Sequence, residues 1–314
     1  MKIVIVGDFP ETAKESIRQS FPEAWHVRVV RPSEAERELG DAEVLIPEHI
    51  RVDAALLTKA PKLRLVQTGA GYDNVDLAAC TRAGVQVCCA AGVNAGAVAE
   101  HVIALILCWY KNIIKLDGCM KAHGDASALC YTGAELSGKT IGIVGLGHVG
   151  KALAGLCRAF GMRVLAYSRS PLKPDGAEAR DWESLCRESD IISLHVPLSE
   201  STRHMIDAEV LAAMKPDALL INTARGAVVD EEALIRALRR GEIGGACLDV
   251  FEDEPLAEDH PLRDLRNVIL TPHTAGYPDG PRYHRKRYAF FAENIEKVMR
   301  DETPEGCLNH VGGR

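Results

Sequence analysis

A chain of 314 residues exceeds the usual single hydrophobic core and implies two domains. With 47% hydrophobic and 26% charged residues it has the make-up of an ordinary soluble globular protein. Its net charge of −7 excludes the basic face that nucleic acid asks for, while leaving room for a small anionic substrate held by a local arginine.

The opening Met-Lys-Ile-Val-Ile-Val-Gly reads as a strand and not as a signal peptide, because it lacks a long apolar core and a cleavage site. Short β-branched runs then alternate with helical patterns. Strands are expected at Lys2–Val6, His26–Val30, Glu43–Ile46, Arg64–Thr68 and Val85–Cys88, and helices at Thr12–Ser20, Arg51–Ala60 and Leu77–Ala83. Five β units with crossovers predict a parallel sheet with flavodoxin-like winding. A long helix is expected from Ala97 through Lys115, followed by a polar connection, Gly118–Gly133. Its apolar stretch Val102–Tyr110 is too short to cross a bilayer, so no membrane partner is expected.

The sequence Ile-Gly-Ile-Val-Gly-Leu-Gly-His-Val-Gly at 141–150 carries G-x-G-x-x-G directly after an apolar strand. In a dinucleotide-binding turn Gly145 permits the tight strand-to-helix reversal, Gly147 admits the pyrophosphate, and Gly150 lets helix and strand pack closely. The amides that open the next helix then face the phosphates. Six strands are expected in this second series, near 141–145, 163–168, 190–196, 218–223, 245–250 and 267–271, as in a Rossmann sheet. A terminal helix, Tyr283–Arg300, carries Tyr288, Phe291, Ile295 and Val298 at helical spacing and is expected to return to the first domain. The domains are thus 1–97 with 283–314, and 98–282. The ten cysteines show no C-x-x-C spacing, the pattern of reduced thiols in a cytoplasmic protein without a structural metal.

Three residues follow late strands of the second series, where ligands bind in open α/β sheets. They are Arg225 in Asn-Thr-Ala-Arg-Gly, Glu254 in Val-Phe-Glu-Asp-Glu-Pro, and His273 in Thr-Pro-His-Thr-Ala-Gly. Reduction of a 2-keto acid needs a cation for the carboxylate and carbonyl, which suits arginine's planar fork. It also needs a proton donor, which suits histidine, and a neighbouring carboxylate favours the protonated ring. Each residue alone is more often a loop or turn residue; the joint placement points to catalysis.

Together with Gly69-Ala-Gly-Tyr-Asp-Asn-Val-Asp76, Gly92-Val-Asn94, Val98-Ala-Glu100, Glu135–Thr140 and His195-Val-Pro-Leu198, these blocks resemble the D-isomer-specific 2-hydroxyacid dehydrogenases over nearly the whole chain. The resemblance implies that His273 is the acid/base, that Glu254 pairs with it, and that Arg225 binds the carboxylate and keto oxygen. It implies that amides around Ala70 and Gly71 hold the carboxylate in a cleft that closes over substrate and cofactor, and that the helix from Ala97 supports a homodimer. The cofactor would be lined by Gly145, Leu146, Gly147, His148, Val149 and Gly150, by Ser168, Arg169 and Ser170, by His195, Val196 and Pro197, by Thr223, Ala224 and Asp249, and by His273, Ala275 and Gly276.

An NAD enzyme usually ends its second Rossmann strand with Asp or Glu for the adenosine ribose. Here Ser168-Arg169-Ser170 offers hydroxyls and a cation, which favours NADP(H) over NAD(H). Asn74, Ala97 and the segment after Gly276 depart from common family patterns, and Pro272 argues against a formate dehydrogenase. The loops at Pro47–His49 and Tyr277–Tyr283 are expected to shape the pocket. The function expected is reduction of a small 2-keto acid of the glyoxylate or hydroxypyruvate type. An NAD(H)-sensing corepressor-like protein and a short D-3-phosphoglycerate dehydrogenase are the alternatives.

Overall fold

A computed structural model describes residues 1–48, 50–130, 132–169, 176–276 and 281–311. Ser170 of the expected cofactor turn, and His49 and residues 277–280 of the expected pocket loops, lie outside the described residues. The chain divides into two compact units, Met1–Asn94 with Asp279–Arg314, and Ala95–Pro278.

The first unit holds β1 (Lys2–Val6), β2 (His26–Val30), β3 (Val44–Pro47), β4 (Leu65–Thr68) and β5 (Gln86–Cys89). All pair in parallel in the order β2-β1-β3-β4-β5, the flavodoxin-like winding expected. Both faces of such a sheet must be covered, which is why β1 and β3 are nearly continuous runs of buried apolar residues and β4 is buried throughout, its polar Gln67 and Thr68 included. One face is closed by the last helix, Pro281–Met299, whose Tyr288, Phe291, Ile295 and Val298 pack on Ile3, Ile5, Val44 and Leu65. Tyr288 and Phe291 meet edge to face at 5.3 Å, and full burial of each ring contributes about 1.5–3 kcal/mol. Aspartates set the helix starts. Asp53 caps Ala54–Thr58 and Asp76 caps Leu77–Arg82, each accepting an amide three residues on. A helical stretch at Pro32–Glu38 was not expected, since one buried residue, Ala35, gives it no periodicity to read.

The second unit begins with helix Ala95–Tyr110, which ends earlier than expected. Asn112 takes a left-handed φ of 51° and a second helix runs over Ile113–Lys121, replacing part of the expected loop. Asparagine tolerates that conformation, and its Nδ2 donates to Thr132 Oγ1 at 2.7 Å. Lys111-Asn112 interrupts the apolar residues for two positions before Ile113-Ile114 resume, with no Gly or Pro, so the break left little mark in the pattern.

The second sheet comprises β6 (Thr140–Val144), β7 (Arg163–Tyr167), β8 (Glu178–Ala179), β9 (Ile191–Leu194), β10 (Leu219–Asn222), β11 (Gly245–Leu248) and β12 (Val268–Leu270). Its order, β12-β11-β10-β9-β6-β7-β8, is that of a Rossmann sheet with one further strand at the β12 edge. Seven strands replace the six expected, because β8 is a two-residue exposed edge too short to alternate. Arg163 and Arg180 both bond Glu178 and hold it there. A Cβ on Gly245 would lie 2.0 Å from the Trp109 ring, so the bare strand seats the end of helix Ala95–Tyr110. Six of the ten cysteines are buried and Cys130 is exposed; none is in a disulfide.

Candidate active site

The glycine turn forms where β6 passes into helix His148–Ala159. Gly145 has a φ of 97°, and a Cβ there would stand 2.5 Å from the His195 carbonyl oxygen. A Cβ on Gly150 would stand 2.2 Å from the Gly145 carbonyl oxygen, so helix and turn are in direct backbone contact. Gly147 caps the helix and a Cβ there meets nothing within 4 Å. Leu146 is buried, whereas His148 is exposed and Val149 partly so at the helix start.

Ser168 and Arg169 follow β7, and Arg169 Nη1 donates to Ser201 Oγ at 2.8 Å. Ser201 was not expected at this place; it comes from the loop after β9, and no spacing in the sequence links it to β7. His195, Val196 and Pro197 leave β9. His195 Nε2 lies 2.9 Å from Ser193 Oγ, and burial pushes its imidazole down to about 4, so the ring is neutral near pH 7.

Thr223, Ala224 and Arg225 leave β10. Asn222 shapes this turn, its Oδ1 accepting the Ala224 amide and its Nδ2 donating to the Arg225 carbonyl oxygen. Arg225 Nη1 donates to the Ala224 carbonyl oxygen at 2.7 Å. The Thr223 hydroxyl is buried and finds no hydrogen-bond partner among the described residues. The next residue fixes the neighbouring loop: a Cβ on Gly226 would fall 1.9 Å from the Phe251 carbonyl group, so the Arg225 turn lies directly on the backbone that leads to Glu254.

His273 and Glu254 meet, with Nδ1 2.6 Å from Oε2. Glu254 Oε1 accepts the Phe251 amide at 3.1 Å. Burial pushes the Glu254 carboxyl up. The His273 hydrogen bond, the Phe251 amide and the charges of His273 and Arg225 outweigh burial and hold it below its ordinary value of 4.5. The carboxylate is therefore ionised at neutral pH. Its contribution to stability is present above that ordinary value and is lost as pH falls through the lowered one.

Asp249 follows β11 and is fully buried. Its carboxylate accepts the amides of Thr274 and Ala275, both at 2.9 Å, and the Thr271 hydroxyl. Ala275 is buried and Gly276 partly so. The structure thus brings Arg225, Glu254 and His273 together at the carboxyl ends of β10, β11 and β12. Ala70 and Gly71 belong to the first unit, just after β4, where a Cβ on Gly69 would stand 2.6 Å from the Arg287 guanidinium. Arg287 is buried there and ion-paired with Glu48.

The arrangement fits a dinucleotide: an open glycine between two crowded ones, a buried Thr223 hydroxyl unpartnered among the described residues, and a guanidinium at the end of β7. Comparison with known proteins agrees. Residues 103–275 match the model of the D-isomer specific 2-hydroxyacid dehydrogenase NAD binding domain. The chain is 42% identical over 271 residues to a glyoxylate reductase of Aeropyrum pernix, covering 82% of this chain and 80% of that one. It is 39% identical to a glyoxylate reductase of Thermococcus litoralis, over 98% of this chain and 96% of that one. An acyclic imino acid reductase solved in complex with NADPH and D-Arg is 30% identical, with a TM-score of 0.86 over 98% of this chain and 100% of that one. The chain belongs to the D-isomer specific 2-hydroxyacid dehydrogenases, an oxidoreductase family whose cofactor is a nicotinamide dinucleotide.

Proposed function

We propose that this enzyme reduces a small 2-keto acid of the glyoxylate or hydroxypyruvate type to the D-2-hydroxy acid, with NADP(H) preferred. The observation that carries this reading is the His273–Glu254 pair with Arg225 beside it, supported by two glyoxylate reductases at about 40% identity. A reduced nicotinamide, when bound, would supply the hydride for the keto carbon. Arg225 holds the carboxylate and the keto oxygen with two prongs of its guanidinium. Glu254 engages Nδ1 of His273 and leaves Nε2 as the nitrogen that gives its proton to the keto oxygen. The neutral imidazole regains a proton from solvent before the next turnover.

The glycine turn and the residues after β7, β9 and β10 named above would hold the cofactor. The end of β7 carries Arg169 and two serines in place of a carboxylate, which suits a 2′-phosphate. Arg169→Ala is expected to raise the KM for NADPH by roughly 10- to 100-fold, the worth of a charge-assisted hydrogen bond, with little change for NADH. A wild-type preference for NADH would contradict this assignment. Exposed Ile113, Ile114 and Met120 on the second helix of this unit give a second copy an apolar face to cover, which favours a homodimer.

Glu254→Gln removes the carboxylate that orients the His273 ring through Nδ1. The kcat for keto acid reduction is then expected to fall by about 10- to 100-fold, as a small misplacement of a catalytic group does. A kcat within about twofold of wild type would contradict the pairing. The reading as a whole is tested by NADPH oxidation with glyoxylate, hydroxypyruvate, pyruvate, phenylpyruvate and branched keto acids. Fastest turnover is expected with the first two, and no turnover with any of them would favour a nucleotide-sensing protein.

A further inference from the structure

Helix Ala95–Tyr110 reaches the loop of His273 through polar contacts that the roles above do not use. His101 Nε2 lies 3.2 Å from Thr271 Oγ1 and 3.7 Å from Asp249 Oδ1. Thr271 Oγ1 lies 2.5 Å from the same Asp249 oxygen. The Asp249 side chain is 1% exposed, and its hydrogen-bond donors among the described residues are amides and hydroxyls, with the His101 ring 3.7 Å away and no lysine or arginine.

The direction of these bonds follows from donor chemistry. An ionised carboxylate only accepts, so the one hydroxyl hydrogen of Thr271 goes to Asp249. The Thr271 oxygen is then the acceptor for His101, which must carry its hydrogen on Nε2. The chain of donation runs from His101 to Thr271 to Asp249.

What Asp249 holds at the far end is the backbone around His273. Its two carboxylate oxygens take the Thr274 and Ala275 amides, and its main-chain oxygen takes the His273 amide at 2.7 Å. His273 itself has a φ of 53°, in the left-handed region that few non-glycine residues occupy. The ring must also meet Glu254 at 2.6 Å. Backbone and side chain are therefore fixed from two directions, by Asp249 and by Glu254.

We propose that His101, Thr271 and Asp249 form a clamp that positions His273 for proton transfer, with His101 as its anchor on the helix. This assigns His101 and Thr271 as positioning residues and rests on the reading of His273 as the proton donor. The Asp249 carboxylate and main-chain oxygen serve the loop, and the clamp acts on the proton transfer step.

The test uses the purified full-length enzyme with glyoxylate and NADPH. Thr271→Val keeps the side-chain shape and removes the hydroxyl. It is expected to lower kcat roughly 10- to 100-fold, as a small misplacement of a catalytic group does, with the glyoxylate KM and the NADPH Kd within about twofold of wild type. Thr271→Ser retains the hydroxyl and is expected to restore most of kcat. His101→Leu should lose a similar factor, and the double variant His101→Leu/Thr271→Val should be no worse than the more impaired single one. Wild-type kcat in Thr271→Val, failure of serine to rescue, multiplied losses in the double variant, or a loss seen only in NADPH Kd would each overturn the clamp. His273→Ala separates the two readings. If it keeps wild-type turnover, the proton-donor assignment fails; if it is inactive while Thr271→Val is normal, the clamp alone fails.

Discussion

His273→Ala is expected to lower kcat for keto acid reduction by about 10²–10⁴-fold, the range attributed to a positioned general acid. Dinucleotide binding is expected to change little, because the glycine turn, Thr223 and Arg169 lie on β6, β10 and β7, away from the lost imidazole. Removal of the ring leaves Glu254 with its Phe251 amide and without its closest partner. The check is a pair of measurements on one preparation: kcat with saturating keto acid, and NADPH Kd by fluorescence titration. Turnover near wild type would refute the acid/base role. A loss of NADPH affinity as large as the loss of kcat would mean that the substitution had disrupted the site as a whole.

Gly226→Ala is expected to damage both stability and activity. The added methyl would stand 1.9 Å from the carbonyl carbon and oxygen of Phe251 and 2.4 Å from the Glu252 nitrogen. These are backbone atoms that no rotamer change can clear, so the Arg225 turn and the Glu254 loop must part. Overpacking of this kind costs about 1–3 kcal/mol, and a displacement of about 1 Å at a reacting group can cost about 10²-fold in rate. A lower denaturation midpoint together with a kcat/KM down by about two orders of magnitude is the expected outcome. Gly155→Ala is the control. It lies in the interior of helix His148–Ala159, a Cβ there meets nothing within 4 Å, and alanine is the better helix former. Wild-type stability and activity in Gly226→Ala would show that the two loops do not depend on their backbone contact.

Much of this architecture was legible because the relevant signals are local. Buried parallel strands announce themselves as apolar runs, and Gly145 and Gly150 were readable from spacing because turn and packing each admit only glycine there. Arg225, Glu254 and His273 could be picked out because each follows such a run. The residues that escaped are those whose role depends on a partner distant in sequence. Gly226 reads as an ordinary turn glycine until Phe251 is seen against it. Thr271 and His101, 170 residues apart, reveal nothing until the fold brings them to 3.2 Å. Ser201 meets Arg169 in the same way, across 32 residues. Asp249 was expected at the cofactor from the family resemblance, and its bonds to the His273 loop depend on a register that no periodicity encodes. The helix break at Asn112 was hidden for the opposite reason: apolar residues resume at Ile113 after only two polar positions, while the backbone turned.

The most direct test is the chirality of the product. Hydroxypyruvate is to be reduced with the purified enzyme and NADPH, and the glycerate resolved on a chiral column. D-glycerate, formed in step with NADPH oxidation and abolished by His273→Ala, is the expected result. L-glycerate, or no cofactor oxidation with either hydroxypyruvate or glyoxylate, would contradict the proposed reaction.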